Sequence, residues 1–155
     1  MKIFVLVCAM LVTSLPVQAQ EQGPAEAVVH ALFEAMRAGD GAAARALVKA
    51  GAPLERLQAD GTVKAGSFEK WTAWIDEQAP GDADEQIFAV KTFHSTAGLA
   101  TVAAPFVIYY KGDLVGCGVN QFSLALTSDG WRIIHGIDVP YVGDCASYRD
   151  MVEGE

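Results

Sequence analysis

Residues 98–139 read GLATVAAPFVIYYKGDLVGCGVNQFSLALTSDGWRIIHGIDV, and this stretch decides the fold. It divides into three runs rich in β-branched and aromatic residues, about 99–110, 114–126 and 131–139. Turn chemistry separates them: Lys111-Gly112-Asp113 first, Ser128-Asp129-Gly130 second. The pattern predicts three antiparallel strands in a meander.

The second hairpin allows a register to be written. A two-residue turn at Ser128-Asp129 pairs Thr127 with Gly130. Leu126 then faces Trp131, Leu124 faces Ile133, Phe122 faces His135 and Asn120 faces Ile137. Side chains alternate along a strand, so these residues share one face, and that face is almost wholly apolar. It predicts Phe122, Leu124, Trp131 and Ile133 as core, with His135 and Asn120 as the polar residues among them. The other face carries Gln121, Ser123, Ala125, Arg132, Ile134 and Asp138 and is wetter.

The chain upstream begins with Lys2, the apolar run 3–15, Pro16 and Val17-Gln18-Ala19. A basic start, a short apolar stretch and small residues before a cut site predict a secretory signal peptide over residues 1–19. The run falls short of the roughly 20 apolar residues a bilayer span needs. The expected location is therefore periplasmic or secreted, with no membrane association after cleavage. Losing Lys2 leaves 10 basic against 19 acidic residues, a net charge of −9. Without a basic stripe, that balance excludes a nucleic-acid partner. Two cysteines remain, Cys117 and Cys145, and export predicts that they are bridged.

Between the leader and the meander, helical spacing occurs three times. Ala25, Val28, Val29, Leu32, Phe33 and Met36 form one stripe, ended by Gly39. Asp40 caps a second helix over 41–50, and Ser67 caps a third over 68–78 that carries Trp71 and Trp74. A small hairpin turns at Asp60-Gly61 between them. Residues 76–86 read as an acidic, solvated loop and 86–94 as a further strand. Residues 20–140 make one domain by length, and 141–155 a polar, irregular tail with one turn of helix over 147–152. Helices followed by strands predict an α+β domain whose helices cover the apolar face of the sheet.

The order of these motifs is informative. Leu32-Phe33-x-Ala35, Gly39-Asp40, Asp60-Gly61, the tryptophan-bearing helix, Ala100-x-Val102, Gly116-Cys117-Gly118-x-Asn120-x-Phe122 and Gly130-Trp131-x-Ile133 follow one another. The chain resembles the nuclear transport factor 2-like superfamily, in particular its small exported lumazine-binding-like and polyketide-cyclase-like members. The resemblance implies a cone: a curved antiparallel sheet wrapped around three N-terminal helices, with a cavity between. Members include ketosteroid isomerase, scytalone dehydratase and limonene epoxide hydrolase, and others that only bind or scaffold. The enzymes hold an acid/base set inside the cone, usually an aspartate with a tyrosine, a histidine or a second acid. Here the register turns Asp138 outward and leaves Asp60, Asp113 and Asp129 in turns, so no interior aspartate is expected.

His135 is then the candidate acid/base or ligand hydrogen-bond partner, diagonal to Asn120. The alternative is a core histidine satisfied by Asn120 or a backbone carbonyl. Trp71 and Trp74 offer a wall for a flat ligand, or plain core, and Phe122 stands beside Asn120. Tyr109 and Tyr110 end a strand, and Tyr110 is taken as the one that rims the cavity. The candidate ligand-binding set is thus His135, Asn120, Phe122, Trp71, Trp74 and Tyr110. The three histidines lack metal-ligand spacing, and there is no phosphate-cradling glycine loop, so no metal or cofactor is expected. Three functional readings follow. The first is a non-catalytic domain binding a small apolar or aromatic molecule. The second is a cone enzyme of isomerase, dehydratase or hydrolase type using His135. The third is a ligand-free homodimer joined through Val119 and Ile134 of the sheet.

Overall fold

The computed structural model describes residues 24–95 and 98–154. The signal peptide expected at residues 1–19 lies outside them. Among the described residues no helix is long and apolar enough to cross a membrane.

Three helices form where helical spacing places them. α1 (Ala25–Ala38) buries Val29, Leu32, Phe33 and Met36 along one stripe, and Gly39 ends it in the left-handed region at φ 69°. α2 (Gly41–Ala46) starts at Asp40, whose carboxylate accepts the Ala43 N–H at 2.8 Å. It stops earlier than expected because Val48 leaves the helix to form a parallel bridge with Ile133. α3 (Phe68–Ile75) is capped by Ser67 and buries Phe68, Thr72 and Ile75. Trp71 and Trp74 flank that stripe and are half-buried against the core.

The seven strands are β1 (Leu54–Leu57), β2 (Val63–Lys64), β3 (Ala83–Ile87), β4 (Lys91–His94), β5 (Leu99–Tyr110), β6 (Asp113–Thr127) and β7 (Gly130–Pro140). They form one sheet in the order β2-β1-β7-β6-β5-β3, with β4 also on β5. The meander is present as expected, but the sheet is mixed, because β1 runs parallel to β7. Nearly half of the chain separates those two strands, so no tight turn forces them antiparallel. The strand expected over 86–94 is broken at Ala89, which sits at φ 44°. Its first half, β3, begins at Ala83, inside the segment read as a solvated loop.

The inner face of the sheet receives the helices. Phe122, Leu124 and Ile133 are buried there with Leu32, Met36 and Val29. Trp131, expected in the core, lies half-buried at its edge with its ring 5.7 Å from His94, and Leu126 is exposed.

One irregularity in β6–β7 changes the reading of the site. Leu124 pairs with Ile133 as the two-residue turn requires, but Ser123 pairs with His135. Ile134 is an extra residue in β7, a β-bulge. Beyond it Phe122 faces Gly136 and Asn120 faces Asp138. A one-residue slip exchanges the two faces of a strand. His135 is therefore turned outward and Asp138 inward, each opposite to the expectation.

The tail is also more ordered than its polarity suggests. α4 (Tyr148–Glu153) packs on the outer face of the sheet, where Tyr148 is buried with Phe88, Val107 and Cys117. The Tyr148 hydroxyl donates to the Gly118 carbonyl at 3.0 Å. Cys117 and Cys145 are joined by a disulfide, with their Cα atoms 5.5 Å apart, which fixes this helix to the middle of β6. Thiol titration of the denatured, unreduced protein produced without residues 1–19 is expected to find no free thiol, and two free thiols would refute the bridge.

Candidate functional site

The bulge and the early start of β3 assemble a polar row at the base of the cone. Lys64 of β2 stands opposite Arg56 of β1, Arg56 opposite Asp138 of β7, and Asp138 opposite Asn120 of β6. Glu85 reaches the row from β3, where it shares the inner side with buried Ala83 and with Ile87. A cavity of about 240 Å³ opens above the row. Leu32 and Phe33 of α1, Phe68 and Trp71 of α3, and Phe122 of β6 form its apolar walls. The geometry is a ring-sized apolar pocket floored by a polar row that is exposed at Lys64 and buried at Asn120 and Glu85.

Glu85 is the most perturbed group. Its carboxylate accepts the Asn120 side-chain N–H at 2.6 Å, and both residues are buried. Burial pushes its pKa up to about 7, opposed by the Asn120 hydrogen bond, assisted by the nearby Asp138 charge and opposed again by Arg56. Both protonation states are thus populated near neutral pH, as a group that must both take and return a proton requires. Asp138 is buried and held by Arg56, whose Nε donates to Oδ1 at 3.0 Å and to Oδ2 at 2.9 Å. Those bonds to Asp138 hold the guanidinium pKa above its ordinary value. Arg56 thereby pairs one acid of the row, while the other, Glu85, has the neutral Asn120 side chain as its hydrogen-bond partner.

The residues expected to form the site divide evenly. Asn120, Phe122 and Trp71 line the cavity. Trp74 does not line it, and its ring lies 6.5 Å from that of Tyr110 outside it. Tyr110 donates its hydroxyl to Gln78 at 3.2 Å, while Tyr109 packs with the outer cluster around Val107. His135 is displaced by the bulge to the outer face, where its Nε2 lies 3.0 Å from Glu55 Oε2. It does not line the cavity, and its expected partnership with Asn120 is replaced by that of Glu85.

Sequence reasoning missed Glu85, Asp138 and Arg56. Glu85 was concealed by its acidic neighbours, although Ala83, Glu85 and Ile87 already alternate as one face of a strand. For Asp138 the available signal was Gly136. A glycine inside a strand marks a bulge or a close approach, and a Cβ there would meet Phe68 Cζ at 2.8 Å.

No family model and no curated protein matches the sequence. Solved structures do match the fold. A nuclear transport factor 2-like protein with a cystatin-like fold from Novosphingobium aromaticivorans superposes with a TM-score of 0.60 at 16% identity, covering 79% of this chain and 83% of that one. A candidate dehydratase of the same family from Streptomyces avermitilis gives 0.59 at 19% identity, covering 76% and 94%. A candidate scytalone dehydratase, also from Novosphingobium aromaticivorans, gives 0.60 at 10% identity, covering 76% and 81%. The helices laid on the inner face of a curved sheet, the cavity between them and these superpositions agree: the protein is an α+β cone with the nuclear transport factor 2-like fold.

Proposed function

We propose that the protein binds a small, largely apolar molecule in the cone cavity and transfers a proton on it, with Glu85 as the acid/base. The observation that carries this reading is the buried Glu85–Asn120 pair at the end of an aromatic-walled pocket. As a carboxylate, Glu85 takes a proton from a carbon beside a carbonyl, whose oxygen takes up the electron pair as an enolate. As the neutral acid it returns that proton elsewhere on the molecule, giving an isomerisation, or to a departing hydroxyl, giving a dehydration. Asn120 anchors Glu85, and the Arg56–Asp138 pair supplies a fixed local field beside it. Candidate dehydratases among the structural neighbours are consistent with this chemistry. The Cys117–Cys145 bridge supports work in an oxidising compartment, in line with the signal peptide expected at residues 1–19.

The test uses proton exchange, which needs no knowledge of the natural substrate. A bicyclic ketone such as 2-tetralone, incubated with the protein in deuterated buffer, is expected to exchange its α-protons faster than in buffer alone, as read by NMR. Glu85→Gln is expected to bind the ketone and lose the acceleration. A ketone that binds without accelerated exchange would leave a non-catalytic binding domain. No binding of any ring compound would remove the cavity as a site.

A further inference from the structure

The two cations that line the cavity, Arg56 and Lys64, differ in their partners. Asp138 is held by Arg56, Glu55 is turned to His135, and Glu85 accepts from Asn120. Lys64 has no ion-pair partner among the described residues. It is exposed at the edge of the sheet, yet it lines the cavity, because it stands opposite Arg56 on the inner side of the β1–β2 hairpin. Like charges facing each other across two strands repel. Asp138 balances the charge of Arg56, and Lys64 is left as a lining cation without an acidic partner among the described residues.

We propose that Lys64 is a specificity-determining residue, and that the cavity takes a small ring-bearing carboxylate whose acid group sits at Lys64. This rests on the cavity being the binding site. The two ends of the pocket fix the orientation. A carboxylate pushed to the deep end would meet Glu85 and Asp138, so an anionic group belongs at the rim and a neutral oxygen belongs beside Asn120. The ring then lies among Phe33, Phe68, Trp71 and Phe122. An ammonium on a flexible stem suits the rim position, since it needs no fixed planar approach by its partner. Water at the rim weakens the attraction, so the discrimination is expected to be about five-fold rather than many orders of magnitude.

The experiment compares 2-naphthoate with its neutral isostere 2-naphthamide by calorimetry, on the wild-type protein and on Lys64→Gln. The wild type is expected to prefer the naphthoate by about five-fold, and the preference should shrink as sodium chloride is raised. Lys64→Gln should abolish the preference while leaving naphthamide affinity unchanged. Equal binding of the two probes by the wild type would overturn the carboxylate assignment alone. So would equal weakening of both probes by the substitution. Failure of both probes to bind the folded wild type would overturn the binding reading itself, and this proposal with it.

Discussion

Glu85→Gln is expected to abolish a loss of about 3 kcal/mol in stability that the wild type suffers between pH 4.5 and pH 8. Burial raises the folded-state pKa of Glu85 from 4.5 to about 7. The unfolded chain releases its proton near the lower value, the folded protein only near the higher one. Stability from this group is therefore complete below the unfolded pKa, falls as pH rises between the two, and levels off once both states are ionised. Glutamine keeps the shape and an acceptor oxygen for Asn120 but cannot ionise. Denaturant titrations of both proteins across this range should show wild-type stability falling relative to the variant. Parallel curves would show that Glu85 is not the buried titrating acid. The same substitution should lower any proton-transfer rate by roughly 10²- to 10⁴-fold, the usual contribution of a positioned acid/base.

The second large effect is expected at Phe122. Its ring is 2% exposed and lies between those of Phe33 and Phe68, at centroid distances of 6.0 and 6.4 Å. It joins one wall of the cavity to the core of the cone, and it faces Gly136 across the strand pair. Phe122→Ala removes a buried ring with little freedom for its neighbours to collapse, because α1, α3 and the sheet all meet there. The expected cost is about 3–5 kcal/mol in chemical denaturation. Gly136→Ala attacks the same packing from the other side, since the added Cβ would stand 3.2 Å from Phe122 Cδ1 and 2.8 Å from Phe68 Cζ. Overpacking of this kind costs about 1–3 kcal/mol, less than the deletion. A Phe122→Ala change below about 1 kcal/mol would show that the ring is not central to the packing.

Local chemistry alone determined much of this protein. The stripe of α1, the caps at Asp40 and Ser67, the three meander strands and the Leu124–Ile133 register follow from propensity, periodicity and turn residues acting over a few positions. The placement of Asn120, Phe122 and Trp71 at the cavity is of the same kind, because each lies on an unbroken stretch of its own pattern. Tertiary structure decided the rest. The bulge at Ile134 has only Gly136 nearby to hint at it, and it arises where β7 must pack the helices, take up Val48 and β1 along its free edge, and seat Phe122 opposite Gly136. That single extra residue exchanged His135 for Asp138 inside the cone. The burial of Glu85 likewise depended on β3 finding an edge on β5 and on Asn120 waiting across the sheet. A charged residue is solvated by default, and it becomes interior only when distant partners supply its hydrogen bond and its counter-charge. Those partners are separated from it by 35 residues in one case, and by most of the sheet's width in the other, which is why the burial of Glu85 emerges only in the folded chain.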